Sequence, residues 1–373
     1  MRDFLYRDLE AIFHFESTKQ TILRAEESET NRFPKADRVH RGVSKQPTRV
    51  WKTPQLPEIA EAGHGFLDKS RLKEPLVIAC WSQKGGVYKT STVHQLARIF
   101  AIGGGLKTVC VDLDQQTDLS SLWGLETVTN KDLPNPEGSS AQLDRYLESQ
   151  VECAVGLLDL LRNPDLDVSS LIEMDYSLGN HLGILPASPE LSIVDQELFG
   201  KIHREKFVTD KIVRPLKESG NWDVILLDLP PAWNLLNQSA IYAIGELQGT
   251  LLSPIECSIT MFKSLEVFHT CLETFERDAS MSIDQLFIPT RFSATAKLNR
   301  EILMEYYRRY QGKIIGNPIK SSVAYEEALA TNQSLLEYKP KHKLASEQRE
   351  IFIELFDRLM EIQTQKSGKT QAA

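Results

Sequence analysis

The chain has 373 residues, which is long for a single domain and leaves room for an α/β core of roughly 250 residues and a further module. Hydrophobic residues make up 41% and charged residues 25%, ordinary values for a globular protein that exclude global disorder. The net charge of −8 excludes a surface uniformly coated for nucleic acid, so any DNA contact must come from local basic patches.

The cysteines and the first residues of the chain predict a cytoplasmic protein. The cysteines are scattered, and two of them lie inside apolar runs, so the sequence has no CxxC pair or disulfide ladder. The first residues mix acidic with apolar side chains and lack a signal-peptide core, and no apolar run approaches the roughly 18 residues of a membrane span. The cysteines are Cys80, Cys110, Cys153, Cys257 and Cys271.

Residues 1–70 differ in character from the rest and are predicted to form a small, mainly helical domain. Apolar residues recur at helical spacing in Met1–Phe15, and a second helix is predicted from Ser17 to Glu27. Between Arg32 and Lys52, seven basic residues accompany a single acid, a composition that suits contact with phosphates. A basic linker or a solvated helix face is the alternative interpretation. The candidates for DNA contact are Lys19, Gln20, Thr21, Arg24, Arg38, Arg41, Lys45 and Arg49.

The stretch Leu76–Asp114 predicts an apolar strand, a glycine-containing turn, an amphipathic helix and a second strand that ends in two aspartates. The turn lies where backbone N–H groups at a helix N-terminus can bind a polyphosphate. The strict pattern G-x-x-x-x-G-K-[ST] fails, because Gln83 and Tyr88 stand at the glycine positions. The residues that remain are Lys89 and Thr90, with Lys84 as an additional lysine five residues earlier.

Further apolar strands alternate with helices, and this order predicts an α/β fold with a mostly parallel sheet and helices on both faces. The predicted strands after Leu76–Ser82 are Val109–Asp112, Leu182–Ala187, Val224–Asp228, Gly249–Pro254, Gln285–Pro289 and Lys313–Ile315. The predicted helices are Lys89–Ile102, Leu119–Leu125, Asp144–Arg162, Leu191–Phe199 and Glu347–Ile362, with a loop at Asn130–Ser140. Residues 71–364 are expected to form this core, and residues 365–373 a flexible tail.

Three motifs in order resemble those of ParA/MinD-type ATPases. The loop K-G-G-x-x-K-[TS] is similar to their deviant Walker A motif, and the tyrosine before the second lysine resembles the plasmid partition ATPases in particular. Asp112 and Asp114 resemble the second motif, in which Gln115 replaces the usual proline, and Asp228, followed by Leu-Pro-Pro, matches the Walker B position. One aspartate at a strand end alone is more often a helix cap or turn residue. The resemblance covers roughly residues 76–360 and implies a P-loop NTPase sheet.

The resemblance implies a weak Mg²⁺-dependent ATPase that binds ATP and ADP. Lys89 would contact the β- and γ-phosphates, and the Thr90 hydroxyl would ligate Mg²⁺. Asp112 and Asp228 would hold Mg²⁺ through water, while Asp114 would position the attacking water. The nucleotide-binding residues implied are Lys84, Gly85, Gly86, Val87, Tyr88, Lys89, Thr90 and Ser91.

Lys84 is the unusual member of this set. In the family that the chain resembles, the corresponding lysine reaches the phosphates of the partner in a nucleotide-sandwich dimer, so Lys84 is expected to act in trans, as an arginine finger does. The implied catalytic residues are therefore Lys84, Lys89 and Asp114. Tyr88 is interpreted either as a cap on the nucleotide or as a replacement for glycine at a tolerated backbone angle.

The N-terminal residues resemble the winged helix-turn-helix module of the larger partition ATPases, with Trp51-Lys52 as an aromatic and basic strand and Leu56–Ile59 as a helix start. This resemblance implies binding to operator or centromere DNA, a ParB-type adaptor, and an ATP-bound homodimer on nonspecific DNA. The match weakens at Thr295, Ser321 and Ala324, where the family often has arginine. The possible substitutes in nonspecific DNA binding include Lys297, Arg300 and Lys320.

Two functions are consistent with these motifs. The first is a nucleoid-associated partition ATPase that also represses its own transcription. The alternative is a DNA-binding repressor that uses ATP or ADP only as a conformational ligand. Membrane cycling is not expected, because the terminal helix Ile351–Glu361 has an acidic polar face that anionic lipid would repel.

Overall fold

The computed structural model describes residues 2–15, 18–27, 32–40, 47–123, 156–187 and 191–370, with side chains as far as residue 366. Several predictions from the sequence fall outside these ranges. They concern Arg41, Lys45, Cys153, the loop Asn130–Ser140, the residues after 123 in the helix predicted at Leu119–Leu125, and residues 144–155 of the helix predicted at Asp144–Arg162.

A seven-stranded sheet organises the larger part of the described chain, with the strand order β10-β9-β4-β8-β5-β7-β6. All neighbouring strands pair in parallel except β6, which lies antiparallel to β7 at one edge. The predicted mostly parallel α/β fold is therefore confirmed. The strands are β4 (Leu76–Cys80), β5 (Thr108–Asp112), β6 (Glu173–Asp175), β7 (Leu182–Leu185), β8 (Val224–Asp228), β9 (Thr250–Glu256) and β10 (Asp284–Thr290).

The central strands are apolar because both faces of the sheet are covered. Every residue of β4, β5 and β8 is buried, as expected for a parallel sheet between two helical layers. Alternate side chains enter opposite cores, so Ile78 packs in the cluster that holds Phe100, whereas Val77 packs in the cluster that holds Phe268.

The α-helices of the described residues are α1 (Tyr6–Phe13), α2 (Lys19–Glu27), α3 (Leu56–Ile59), α4 (Lys89–Gly104), α5 (Asp118–Leu122), α6 (Leu157–Arg162), α7 (Leu191–Phe199), α8 (Arg214–Glu218), α9 (Leu235–Glu246), α10 (Ile259–Asp278), α11 (Lys297–Arg309), α12 (Val323–Ala330), α13 (Leu335–Tyr338) and α14 (Lys343–Thr370).

The N-terminal part contains a second, antiparallel sheet of order β1-β3-β2, made of β1 (Asp3–Phe4), β2 (Asp37–Val39) and β3 (Thr48–Lys52). Helices α1 and α2 lie between β1 and β2 along the chain. Phe4, Ile12 and Trp51 are buried in the same hydrophobic cluster as Phe100 and Phe352 of the larger part. This part of the chain therefore shares a core with the sheet domain.

Three details differ from the sequence-based predictions. The predicted first helix does not include Asp3–Phe4, because these residues pair with Trp51 and Lys52 as a strand. Lys313–Ile315 is not a strand, since only an isolated bridge joins Ile314 to Phe287. The tail predicted from residue 365 continues α14 to Thr370, and the Lys366 ammonium donates to the carbonyl oxygens of Gln248 and Gly249 at 2.8 and 3.0 Å.

Candidate nucleotide site

The phosphate loop connects β4 to α4 at the carboxyl edge of the large sheet. Gly86 has φ = 71° and Tyr88 has φ = 67°, so both adopt the left-handed conformation that tyrosine rarely takes. The Tyr88 carbonyl accepts the Thr92 N–H at 2.8 Å, which begins α4 directly after the loop. The first residues of α4 therefore border the cavity beside the loop, where the N-terminal N–H groups of a helix suit an anion.

A cavity of about 420 Å³ opens over this loop. Its lining combines loop residues with side chains from three other strand ends. It brings together most of the predicted nucleotide-binding residues, and it adds Arg291 and Glu326, which the motifs did not indicate. The lining residues are Gly85, Gly86, Tyr88, Lys89, Thr90, Ser91, Asp114, Gln116, Asp118, Pro231, Arg291 and Glu326.

The aspartates of the second motif lie beside the loop in different environments. Asp112 is fully buried and accepts hydrogen bonds from the Ser120 N–H at 3.0 Å, the Ser120 hydroxyl at 2.7 Å and the Asp114 N–H at 3.1 Å. Burial raises the pKa of Asp112 to about 6, although these hydrogen bonds oppose the rise. Asp114 lines the cavity and accepts the Gln116 N–H at 3.0 Å. Asp112 is therefore anchored, and Asp114 is the carboxylate that faces the cavity.

Asp228 is opposite Asp112 in the parallel pairing of β8 with β5. Both of its carboxylate oxygens are buried with no well-aligned hydrogen bond in the described part of the chain, although the Thr90 side chain lies near enough to act against the rise in the pKa of Asp228. Burial, followed by the charge of Asp112, raises the pKa of Asp228 well above its usual range. A buried, ionised carboxylate of this kind destabilises the fold unless a cation or a water molecule binds to it.

This donor set fits Mg²⁺, which prefers hard oxygen ligands and keeps several waters. The oxygens available are the buried carboxylate of Asp228, the Thr90 hydroxyl and the Asp112 carboxylate. The described residues contain no cluster of three or more His, Cys, Asp and Glu side chains arranged to hold a metal ion. A magnesium ion here would therefore depend on phosphate oxygens and water as well as on these side chains.

The two lysines of the loop have different surroundings. Lys89 is buried, and its ammonium donates to the Lys84 carbonyl at 3.3 Å, within the cavity that would hold the phosphates. Lys84 points the other way, and its ammonium contacts the carboxylate of Glu256 and the hydroxyls of Ser258 and Thr260. Lys89 is thus placed for phosphate contact in its own chain, whereas Lys84 is held at the end of β9.

Sequence reasoning missed Arg291, which follows β10. Its guanidinium donates to the Gly86 carbonyl at 2.8 Å and lies 5.5 Å from the centre of the Tyr88 ring. Tyr88 in turn stacks on Tyr325, with the ring centroids 5.5 Å apart. The sequence did carry a signal for Arg291. A charged residue that directly follows an apolar parallel strand lies at the carboxyl edge of the sheet, where Asp112 and Asp228 also lie.

The candidates for DNA contact in the N-terminal part divide into exposed polar residues on α2 and arginines that are paired with a glutamate. Lys19, Gln20, Thr21 and Arg24 are exposed on one face of α2. Arg38 and Arg49 both contact Glu26, at 3.4 and 2.9 Å, so their charge is partly neutralised within the fold. The winged helix-turn-helix assignment stays a prediction.

The predicted nonspecific DNA residues are spread over the C-terminal half. Lys297 is exposed and lies 3.6 Å from Glu301, while Arg300 donates to the Ala294 carbonyl at 2.6 Å. Lys320 pairs with Glu347 at 2.7 Å. Among the helices of the described residues, none is long and apolar enough to cross a membrane.

Comparison with known proteins gives concordant matches. A family model described as an AAA domain matches residues 76–285. The chain is 24% identical over 281 residues to the sporulation initiation inhibitor protein Soj of Bacillus subtilis (strain 168), which covers 75% of this chain and 96% of Soj. It is 23% identical over 269 residues to the chromosome partitioning protein ParA of Caulobacter vibrioides (strain NA1000 / CB15N), which covers 71% of this chain and 88% of that protein.

Solved structures share the fold. An ATP complex of an McdA variant from Cyanothece superposes with a TM-score of 0.59 at 19% identity, over 77% of this chain and 96% of that one. The cobyrinic acid a,c-diamide synthase of Mycobacterium smegmatis, with a bound ATP analog and magnesium, has a TM-score of 0.51 at 21% identity, over 68% of this chain and 93% of that one. At such identities these matches show the fold alone.

Proposed function

The chain belongs to the AAA-domain family, and we propose that it is a ParA-type partition ATPase. In this proposal, which its similarity to Soj and ParA supports, the protein cycles between an ATP-bound dimer on DNA and a released state. The observation that carries this proposal is the meeting of Lys89 and Asp114 on one cavity at the carboxyl edge of the sheet, where Asp112 and Asp228 also lie opposite each other at the ends of neighbouring strands. Binding ATP would favour the DNA-competent state, and hydrolysis would end it.

Within the cavity, each side chain has a task that follows from its charge and position. Lys89 and the N–H groups at the start of α4 would bind the β- and γ-phosphates. Asp114 faces the cavity and would hold the attacking water in line with the γ-phosphate by accepting its proton in a hydrogen bond. When bound, Mg²⁺ would neutralise developing negative charge on the phosphates, held there by Thr90, Asp228 and, through water, Asp112.

Lys84 would complete the site from the partner subunit. The loop places its ammonium outside its own phosphate cavity, against the end of β9, and this position supports a role in trans. A positive charge contributed by the second subunit would stabilise the transition state only after dimerisation. Hydrolysis would therefore be slow in the isolated monomer, in keeping with a weak ATPase.

A ParB-type adaptor bound to a centromere-like site would stimulate hydrolysis and so release the protein from DNA. Affinity for bulk DNA would come from cations such as Lys297 and Arg300 and would fall steeply with salt. The N-terminal part would bind a specific DNA site through the exposed face of α2. Such binding at its own promoter would also let the protein repress transcription of its gene.

The decisive experiment measures ATP turnover with nonspecific DNA and with the DNA-binding protein encoded beside this gene. We expect strong stimulation when both are present. Lys84→Gln should bind ATP normally but lose this stimulation, and full stimulated turnover in that variant would refute the role of Lys84 in trans.

The second candidate function is a nucleotide-regulated repressor without a motor role. The exposed polar face of α2 favours it, because Lys19, Gln20, Thr21 and Arg24 suit site-specific DNA binding. A nucleotide-dependent footprint on the promoter, without joint stimulation of turnover, would favour the repressor over the partition cycle.

A further inference from the structure

The end of β9 carries a group of acceptors that the nucleotide site does not use. Glu256 is the last residue of β9, Ser258 caps the N-terminus of α10 and Thr260 lies in its first turn. We propose that Glu256, Ser258 and Thr260 form a latch that holds Lys84 within its own chain and competes with the partner's phosphates for that lysine. The latch rests on the proposed role of Lys84 in trans, and it makes Glu256 a positioning residue.

The geometry of the latch matches the chemistry of an ammonium group. A lysine has three N–H donors and no acceptor. The Lys84 ammonium meets three acceptor groups, which are the Glu256 carboxylate, the Ser258 hydroxyl at 3.2 Å and the Thr260 hydroxyl at 2.9 Å. All of its donors are therefore occupied, so the lysine cannot contact a phosphate without leaving this site.

The three acceptor side chains of the latch contact one another and are partly shielded from water. Ser258 donates to the Glu256 carboxylate at 3.1 Å and lies 3.2 Å from the Thr260 hydroxyl, so the three side chains form one connected set. The Lys84 and Glu256 side chains are only 28% and 22% exposed, which strengthens their attraction relative to a fully solvated pair.

Charge balance around Glu256 fits a single bound ammonium. Burial of Glu256 acts to raise its pKa, but the hydrogen bond and charge of Lys84 lower it overall, so the carboxylate is ionised at neutral pH. Arg291 is the next cation, with its Nε 3.9 Å from the same carboxylate. When Lys84 leaves, Arg291 remains to neutralise Glu256, so opening the latch does not leave an isolated buried charge.

The consequence is a threshold for dimer formation. Each dimer would require two latches to open. The free energy of opening would reduce the free energy of association that Lys84 gains from its contacts with the partner's nucleotide. A stronger latch keeps the protein monomeric at low concentration. The wild-type chain should thus associate only when ATP supplies phosphates that outcompete Glu256.

The test compares association of the full-length chain in Mg²⁺ and ATPγS by analytical ultracentrifugation. Glu256→Gln removes the charge of the latch but keeps its shape, and we expect about fivefold tighter association per latch, or about 25-fold in the dimer dissociation constant. Thr260→Val removes one acceptor and should shift association in the same direction by about twofold. Binding of ATPγS to the monomer should be unchanged in both.

The controls separate the latch from the role of Lys84 and from general charge effects. Glu305→Gln breaks another carboxylate cluster, with Arg308 and Arg309 on α11, and should leave association unchanged. In a Lys84→Gln background, Glu256→Gln should have no further effect, because the latch then has no lysine to hold.

The outcomes are distinct. Association of Glu256→Gln equal to or weaker than that of the wild type, with Lys84→Gln impaired, would overturn the latch and leave the proposed function standing. If Glu256→Gln and the double variant Lys84→Gln/Glu256→Gln associate equally well, Lys84 contributes no contact in trans, and the role in trans and the latch fail together.

Discussion

The ring of Tyr88 stacks on the ring of Tyr325 at an interplanar angle of 29°, while the guanidinium of Arg291 lies over Tyr88. Tyr88 holds a left-handed backbone conformation at a position where the usual phosphate loop has glycine. A non-glycine residue there costs about 1 kcal/mol or more. The stack therefore offsets the backbone strain and holds the loop in the shape that the proposed phosphate contacts need.

This arrangement predicts an unusual order of stability among variants of Tyr88. Tyr88→Phe keeps the ring and should stay within about 0.5 kcal/mol of the wild type. Tyr88→Ala loses the stack and keeps the strain, whereas Tyr88→Gly relieves it, so the glycine variant should be about 1 kcal/mol more stable than the alanine variant. Denaturant unfolding checks this order. An alanine variant at least as stable as the glycine variant would show that Tyr88 is not strained.

The second prediction concerns Asp228 and the metal. Asp228→Asn removes a buried carboxylate that has no well-aligned partner among the described residues, and it should reduce by about tenfold the gain in ATP affinity that Mg²⁺ produces. Isothermal titration with and without Mg²⁺ measures that gain. Asp223→Asn is the matched control, because Asp223 precedes the opposite end of the same strand and pairs with Lys69 at 2.6 Å. A full Mg²⁺ effect in Asp228→Asn would exclude Asp228 from the metal site.

Ser120 is predicted to position Asp112. Its hydroxyl and its N–H both donate to the carboxylate, and its hydroxyl oxygen also accepts the Ala187 N–H at 3.0 Å. Ser120→Ala should slow ATP turnover by about tenfold while ATP affinity changes less than threefold, since the carboxylate loses its orientation but not its charge. Ser121→Ala is the adjacent control and should turn over ATP normally. Equal rates for both variants would remove Ser120 from the site.

His94 predicts a pH dependence of stability. Burial, and then the charge of Arg98, lower the pKa of His94 to about 4, against the opposing pull of Asn332, Glu337 and Asp175. The unfolded chain binds a proton near pH 6.5 and the folded chain does not, so this contribution to stability is present above about pH 6.5 and lost as the pH falls towards 4. The loss reaches about 2 kcal/mol at pH 5.

Replacing His94 tests this origin of the pH dependence. In His94→Gln the free energy of unfolding should fall less between pH 7 and pH 5 than in the wild type. Chemical denaturation at both pH values measures the difference. An identical slope in the two proteins would assign the pH dependence to other groups.

Point variants on α2 test the DNA-binding proposal better than a deletion of residues 1–70 would, because such a deletion would remove Ile12 and Trp51 from the shared core. Lys19→Ala and Arg24→Ala should weaken site-specific binding, and each lost phosphate contact should reduce the salt slope by about 0.9. Arg277→Ala removes an exposed charge from α10 and should bind DNA normally. Footprints that match the wild type in both α2 variants would contradict a recognition role for this helix.

The sequence alone determined where along the chain the strands that carry the site lie. Leu76–Cys80 and Val224–Asp228 are apolar throughout because they lie between two helical layers, and such runs are visible without a structure. The lysines and aspartates at their ends follow from local spacing. Phe4 was different, since its pairing with Trp51 joins residues that are distant in the chain, and local periodicity cannot detect such a pair.

Only the tertiary structure decided what Tyr88 and Lys84 contact. Glu256 ends a parallel strand and Tyr325 lies on the helix α12. Both are far from the loop in sequence, and only the packing of these elements at the carboxyl edge of the sheet brings them to it. The resemblance to ParA/MinD-type ATPases implied that Lys84 would act on a partner's phosphates, but not that the same chain supplies three acceptors for it. Spacing along a chain records neighbours on one element, whereas competition between a cis and a trans contact depends on the packing of several elements at once.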